Sequence, residues 1–328
     1  MVGRRGEAPL VPPYSLHRPN KAMALDQPAV PFRIRKQLDT IFKVRSALVS
    51  EPRLLPQDDA MIRLLLIALV ALVCRTAWAD EPGPPKKSLP LPGETFTVAD
   101  RPAFLFLPSE AKRTKPQPWI FYGPTLDPYP DQAERWMHEQ FLAAGIAVAG
   151  VDVGEAYGSP QSHVVFDALY DRLTKQNNFA PKPVLFGRSR GGLWVSSYAI
   201  AHSERVSGII GIYPVYDFRT YPGVAKTAPA YGLTEAELTT RLDEFNPIAR
   251  INVLAKAKIP FAIIHGDDDK VVPLKENSAE LQQHYKAAGQ EALVKLIIAK
   301  GQGHNFWEGF FHSQELVDFA IEKARAGK

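Results

Sequence analysis

The sequence predicts an α/β protein in which a mostly parallel sheet is covered by helices on both faces. Apolar segments with strand character alternate with segments of helical spacing across residues 94–325. Residues 80–328 number 249, enough for one domain with a large core. Residues 187–191, Gly-Arg-Ser-Arg-Gly, directly follow an apolar run, a pattern that fits a sharp turn from a strand into a helix. These observations together favour one α/β domain.

The apolar segments place the strands as follows. An antiparallel pair is predicted at the sheet edge, at 94–98 and 103–107. Six further strands are predicted at 119–122, 146–151, 183–186, 206–213, 260–264 and 293–299. Helical spacing is found at 131–144, 164–173, 192–201 and 314–323. Residues 214–252 break the alternation and form either a small cap above the carboxyl edge of the sheet or a long connection.

The glycine-flanked serine is the first candidate for chemistry. A nucleophile elbow needs small residues around its serine, here Gly187 and Gly191, because strand and helix backbones approach closely there. The turn pushes the serine hydroxyl beyond the end of the sheet. A serine hydroxyl is a poor nucleophile at neutral pH and needs a base, which in turn needs an orienting carboxylate. Ser189 is therefore a candidate nucleophile that requires two partners.

Two later segments supply candidate partners. Residues 260–273 form an apolar strand followed by an acidic loop, and residues 295–306 form a strand followed by a glycine-rich loop that carries His304. Each candidate follows the carboxyl end of a predicted strand, where open α/β sheets place their sites. The spacing between His265-Gly266 and Val272-Pro273 favours Asp269 as the acid. The competing carboxylates are Asp267, Asp268 and the more remote Asp217. His265, at a strand end, is interpreted as structural. The histidines on predicted helices are interpreted as surface or satisfied groups: His138, His163, His202, His284 and His312.

Together these motifs resemble the α/β-hydrolase superfamily over residues 94–325, and most closely its secreted carboxylesterase, acetyl-xylan-esterase and prolyl-oligopeptidase-type branch. The order Ser189, Asp269, His304 is the order of that superfamily. The resemblance implies the α/β-hydrolase fold for residues 94–328, with a small cap insertion at about 214–252. It also implies that Ser189 is the nucleophile, His304 the base and Asp269 the orienting acid.

The oxyanion-stabilising donors are less clearly marked in the sequence. The backbone N–H of Arg190, which follows the nucleophile, is the expected first donor. The loop after the strand at 119–122 usually supplies the second, but Pro124 has no N–H to give. The Thr125 amide or the Tyr122 hydroxyl must then act instead, the latter by resemblance to the prolyl oligopeptidases.

Arginines on both sides of the serine are unusual, and Arg190 in particular has two interpretations. It either contacts the oxyanion or an acidic substrate group, or it packs over the helix start and pairs with a loop acid such as Glu155. Arg190, Glu155 and Trp307 are the predicted substrate-binding residues.

The front of the chain carries its basic character. Residues 1–60 hold 10 Lys and Arg against 6 Asp and Glu, and residues 61–79 add two arginines. The remainder carries 27 basic against 29 acidic side chains, which argues against nucleic-acid binding. Residues 61–79 have the layout of a signal peptide, with a positive start, a short apolar core and small residues before a cleavage point. The alternative is a signal-anchor helix behind a cytoplasmic tail.

These features predict four segments and a compartment. Residues 1–60 are either a disordered extension or the result of a start codon assigned too far upstream, with the true start at Met61. Residues 80–93 are a linker. The mature protein is expected to be secreted or periplasmic, without a stable membrane span. The single cysteine, Cys74, lies in the signal segment, so the mature part forms no disulfide.

The sequence thus predicts an exported serine hydrolase that cleaves carboxylic esters in small molecules or on polysaccharides. The alternatives are a prolyl-oligopeptidase-type peptidase and a non-catalytic binding module on the same fold. No cofactor is expected. No metal site is expected either, because the acidic run at 267–269 lacks the rest of a calcium loop.

Overall fold

One mixed sheet of eight strands organises the part of the chain that the computed structural model describes, residues 87–123 and 128–328. Its strands are β1 (Glu94–Val98), β2 (Arg101–Phe106), β3 (Trp119–Gly123), β4 (Ala147–Val151), β5 (Val184–Arg188), β6 (Gly208–Ile212), β7 (Phe261–Gly266) and β8 (Val294–Ala299). The spatial order is β1-β2-β4-β3-β5-β6-β7-β8. β1 pairs antiparallel with β2, β2 pairs antiparallel with β4, and every later pairing is parallel. The predicted mostly parallel sheet with an antiparallel edge is confirmed.

The central strands form because their side chains are apolar on both faces. In β3, Trp119 and Phe121 enter the core on one face, and Ile120 and Tyr122 enter the core on the other. Successive side chains of a strand point to opposite faces, so such a strand is stable only when both faces are covered. The helices provide that cover.

The helices are α1 (Arg135–Ala143), α2 (Pro160–Asp171), α3 (Gly191–Ala201), α4 (Val224–Thr227), α5 (Glu235–Thr240), α6 (Leu242–Phe245), α7 (Pro247–Arg250), α8 (Asn252–Lys256), α9 (Glu280–Ala287), α10 (Glu308–Phe311) and α11 (Gln314–Ala326). Helices α1, α10 and α11 cover one face of the sheet, and α2, α3, α8 and α9 cover the other. The sequence pattern placed His284 on a helix but gave no bounds for α9. Only Leu281 and Tyr285 of that helix are buried, so its apolar stripe is narrow.

The segment at 214–252 folds into short helices with an apolar cluster of its own. That cluster includes Phe218, Tyr231 and Leu238, and it packs on Leu193 at the start of α3. Because α3 starts at the carboxyl edge of the sheet, the segment lies beside that edge. The extension, the signal segment and the first part of the linker (residues 80–86) lie outside the described residues. None of the described helices has the length and apolar character needed to cross a bilayer.

Candidate active site

The turn between β5 and α3 holds Ser189 in a conformation that non-glycine residues rarely adopt. Its φ is +50°. Three backbone hydrogen bonds fix the turn: the Ser189 N–H donates to Ile212 at 3.0 Å, and the Ser189 carbonyl accepts from Gly192 at 3.0 Å and from Val215 at 2.8 Å. Strain of this kind persists only when the surroundings determine it, and it is concentrated at functional sites.

Two glycines permit the close packing around this turn. A Cβ on Gly187 would lie 2.7 Å from Val195 Cγ2, and a Cβ on Gly192 would lie 2.5 Å from the Val215 carbonyl oxygen. The sequence pattern singled out Gly187 and Gly191, and the structure shows close approaches at Gly187 and at Gly192, the residue that follows Gly191.

The structure brings Ser189, His304 and Asp269 together in one hydrogen-bonded chain. Ser189 Oγ lies 2.8 Å from His304 Nε2. His304 Nδ1 lies 2.7 Å from Asp269 Oδ2. These three residues follow β5, β8 and β7, so their loops meet at the carboxyl edge of the sheet as the sequence predicts. The carboxylate accepts from Nδ1–H, which leaves Nε2 unprotonated and able to accept the serine proton.

Asp269 is held as a carboxylate by its surroundings. Its side chain is buried, and Oδ1 accepts from the N–H groups of Val271 at 2.9 Å and Val272 at 2.8 Å. Burial acts to raise the pKa of Asp269, but hydrogen bonds from His265, His304 and the Val272 amide outweigh it and hold the pKa well below its ordinary value. Asp269 therefore stays ionised wherever the protein is folded at mild pH.

The competing acids are engaged elsewhere. Asp267 accepts from the Gly301 N–H at 2.7 Å, and Asp268 pairs with Lys270 on the surface at 2.7 Å. Asp217 pairs with Arg219 and accepts from Asn246.

His265 is fully buried at the end of β7, in agreement with its structural interpretation. Its Nε2–H donates to the Val272 carbonyl at 2.9 Å, and its Nδ1 lies 2.7 Å from the Ser278 hydroxyl. These contacts tie the acid-bearing loop to the helical turn at Lys275–Ala279, which leads into α9.

A cavity of about 210 Å³ opens onto the serine. Ser189 and His304 lie in its wall, and Tyr213 packs on the imidazole with ring centroids 4.3 Å apart. Tyr221, from the segment at 214–252, contributes to the same wall. The other lining residues are Tyr129, Arg188, Arg190, Val271, Asn305 and Phe306. The cavity is thus largely aromatic and carries two guanidinium groups.

The predicted oxyanion donors have different outcomes. The Arg190 N–H makes no hydrogen bond to any described residue, so it has an unused donor next to the nucleophile. Thr125 lies outside the described residues. The Tyr122 hydroxyl prediction is wrong: this side chain is fully buried in the core and donates to Glu134 Oε1 at 2.6 Å. Its position on β3 directs it into the layer beneath α1 and away from the cavity.

The predicted substrate-binding residues divide in a similar way. Arg190 lines the cavity and also forms an ion pair with Glu155, the second of its two predicted interpretations. Trp307 does not line the cavity, because its ring folds back edge-on against Phe310 at 5.3 Å. Phe306, one residue earlier, lines the cavity instead. Glu155 is not among the lining residues and reaches the site only through its ion pair with Arg190.

Arg188 lines the cavity without having been predicted to do so. Its position immediately before the serine is the sequence signal for it, but only Arg190 was given a role.

Within the described ranges, no group of three or more His, Cys, Asp or Glu side chains is arranged to hold a metal ion.

Comparisons with known proteins agree with this geometry. Residues 166–321 match the prolyl oligopeptidase family. No curated protein sequence matches the chain. A putative dipeptidyl aminopeptidase IV from Bacteroides ovatus superposes with a TM-score of 0.55 at 17% identity, over 70% of this chain and 35% of that one.

Two other solved structures are covered almost completely. Est1E from Butyrivibrio proteoclasticus aligns with a TM-score of 0.52 at 20% identity, over 70% of this chain and 98% of that one. Mycobacterium tuberculosis MPT51 aligns with a TM-score of 0.57 at 14% identity, over 72% of this chain and 100% of that one. The chain therefore spans about a third of the Bacteroides peptidase and nearly all of the two smaller proteins. At these identities the superpositions show the shared fold.

The family match contains Ser189, Asp269 and His304. The chain therefore has the α/β-hydrolase fold, and the part of it that holds these three residues matches the prolyl oligopeptidase family.

Proposed function

We propose that the protein cleaves an acyl bond, in a short peptide or a carboxylic ester, with Ser189 as nucleophile, His304 as base and Asp269 as orienting acid. The observation that carries this proposal is the unbroken hydrogen-bonded chain from Asp269 through His304 to Ser189 at the wall of an open cavity.

In the first half of the reaction, the Ser189 oxygen attacks the substrate carbonyl while His304 Nε2 takes the hydroxyl proton. The imidazolium is stabilised by the Asp269 carboxylate. The carbonyl oxygen becomes an oxyanion, and the Arg190 N–H is one donor for it. His304 then gives its proton to the leaving amine or alcohol as the C–N or C–O bond breaks.

In the second half, water attacks the acyl-enzyme and repeats the sequence of proton transfers. His304 Nε2 accepts a proton from the water, the Ser189 ester bond breaks, and the proton returns to the serine oxygen. An acid product leaves and the starting enzyme is restored.

The two substrate classes have different support. The family match favours a peptide over the carboxylic ester that the sequence analysis preferred. The ester is kept as a second candidate because the chain spans 98% of Est1E but only 35% of the Bacteroides peptidase. The acyl-transfer chemistry is the same for both classes.

A fluorophosphonate probe tests the nucleophile. The wild-type protein is expected to become labelled, and Ser189→Ala is expected to remain unlabelled because the attacking oxygen is gone. Ser196→Ala is a matched control, since Ser196 lies in the same α3 but its hydroxyl donates to the Gly192 carbonyl in the core. Folded wild type without labelling would favour the binding-module alternative. A panel of peptide nitroanilides and nitrophenyl esters then ranks the two substrate classes.

We also propose that the protein is exported, on the basis of the charge and apolar pattern at 61–79. Protein purified from its native source is expected to begin at Asp80. Intact-mass measurement and N-terminal peptide sequencing check this. Tryptic peptides from residues 1–60 in the mature protein would contradict it.

A further inference from the structure

A buried charged cluster lies directly behind the candidate nucleophile. Arg188 is 3% exposed, and its Nη1 donates to Glu134 Oε1 at 2.7 Å and to Asp131 Oδ2 at 3.1 Å. Glu134 is fully buried and also accepts from the Tyr122 hydroxyl. The acyl-transfer mechanism uses none of these side chains. Burying charged groups costs folding free energy, so we expect this cluster to contribute to function.

The guanidinium is held rigidly but is only partly used. It lies 5.0 Å from the ring centroids of Tyr129, Phe306 and Phe311, which enclose it. Both hydrogen bonds that the guanidinium donates to carboxylates leave from Nη1, and the Tyr213 hydroxyl lies against the guanidinium as well, so part of the donor edge remains for a further partner. Arg188 lines the cavity that contains Ser189. A preorganised guanidinium edge with unused donors is the geometry that binds a carboxylate with two parallel hydrogen bonds.

We infer that Arg188 is a receptor for a carboxylate carried by the substrate, so that the preferred substrate is an anionic peptide or ester. This inference rests on the proposed acyl-bond cleavage at Ser189. It assigns recognition of the anion to the arginine before the serine.

Glu134 gives the proposed receptor a dependence on pH. Burial raises the pKa of Glu134 to about 7, although the Arg188 charge acts in the opposite direction. Protonated Glu134 no longer competes for the guanidinium, so an anion binds more tightly as the pH falls through that value. The other titratable or charged groups of this environment are Tyr122 on β3, Asp131 before α1, Arg188 on β5, Tyr213 after β6, and His138 of α1 against the Tyr122 ring.

Matched substrate pairs test the receptor. The pairs are 4-acetoxybenzoate and its methyl ester, 4-nitrophenyl hydrogen adipate and its methyl ester, and an alanine tripeptide with a free or an amidated C-terminus. In at least one pair the wild type is expected to favour the anionic member at least about tenfold in kcat/KM, mainly through KM. Arg188→Gln is expected to abolish this preference, and Arg188→Lys to retain part of it. Arg135→Gln, which removes an exposed arginine of α1 paired with Glu139, is expected to leave it unchanged.

The outcomes separate the two proposals. Cleavage of the neutral and anionic members at equal rates would overturn the receptor and leave the hydrolase intact. A preference that survives in folded Arg188→Gln would also overturn it. If no substrate is cleaved and no probe reacts, the hydrolase proposal fails, and binding of ethanesulfonate to the wild type still tests the receptor alone.

A second measurement does not depend on whether Arg188→Gln folds. Ethanesulfonate stays ionised in this range, and it is expected to bind wild type more tightly at about pH 6 than at about pH 8. In Glu134→Gln the affinity is expected to be high at both pH values, because the competing carboxylate is gone. Isothermal titration calorimetry measures the ethanesulfonate affinity of both proteins at both pH values. Absence of ethanesulfonate binding at either pH would overturn the receptor.

Discussion

Asp269→Asn is expected to lower kcat by about 10⁴-fold while the protein remains folded. In the wild type, Asp269 Oδ1 accepts two backbone N–H groups, from Val271 and Val272, and Oδ2 accepts from His304 Nδ1. The asparagine oxygen must take the position facing the two N–H donors. Its NH₂ group then faces His304 Nδ1, which becomes an acceptor.

The consequence is an inverted imidazole. When Nδ1 accepts, the neutral ring carries its proton on Nε2, the atom that lies 2.8 Å from Ser189 Oγ. That nitrogen can no longer take the serine proton, so the nucleophile is not activated even though every heavy atom keeps its place. The loss should therefore appear in kcat far more than in KM.

Asp268→Asn is the matched control, because it makes the same change one residue earlier on a surface carboxylate paired with Lys270. Steady-state kinetics on one nitrophenyl ester compares the two variants, and near-ultraviolet circular dichroism checks that both are folded. The assignment of the acid is wrong if folded Asp269→Asn keeps activity within tenfold of wild type, or if Asp217→Asn shows the large loss instead.

Much of the architecture could be predicted because the signals are local. The apolar segments mark all eight strands to within a few residues, since burial on both faces leaves a continuous apolar run. The positions of Ser189, Asp269 and His304 follow from strand ends, because the carboxyl ends of parallel strands meet at one edge of the sheet. The bounds of α9 were not predicted, because its buried stripe consists of two residues.

Side-chain direction was the harder problem. Tyr122 and the cavity lie near the same strand end, but the alternation of side chains along β3 sends the Tyr122 ring into the core beneath α1. Trp307 and Phe306 differ by one position, and only packing against Phe310 decides which ring faces the cavity. Arg188 was visible in the sequence, yet its pairing with Glu134 joins residues 54 positions apart. Spacing along the chain carries no signal for such a contact.

The direction of the His138 side chain was also not predicted, and it affects the stability of the fold. It was expected to be a surface or satisfied group, but it is fully buried and neither ring nitrogen has a hydrogen-bond partner among the described residues. The rings around it belong to Phe106, Tyr122, Phe141 and Phe186, at centroid distances of 5.4 to 6.3 Å. Burial lowers the pKa of His138 to about 3, and the more distant Asp131 charge opposes this only slightly.

The direction of the pH effect follows from this pKa. Below about pH 6.5 the unfolded chain protonates its histidine while the folded protein does not, so the free energy of unfolding falls as the pH falls. Between about pH 6.5 and pH 4.5 the loss attributable to this group is about 2 kcal/mol. It would reach about 4 kcal/mol near pH 3. At neutral pH the histidine is uncharged, and only its two unsatisfied nitrogens cost stability.

His138→Met is therefore expected to raise the free energy of unfolding by about 1–3 kcal/mol at pH 7 and to remove the acid-dependent loss. Methionine is close to histidine in volume, favours helices and makes favourable sulfur–aromatic contacts with the rings that enclose this position. Urea unfolding at about pH 7 and about pH 4.5 measures both effects. His284→Met, on the outer side of α9, is expected to leave the pH dependence close to that of wild type. If His138→Met loses as much stability in acid as the wild type does, then the buried imidazole is not the group that makes the fold sensitive to acid.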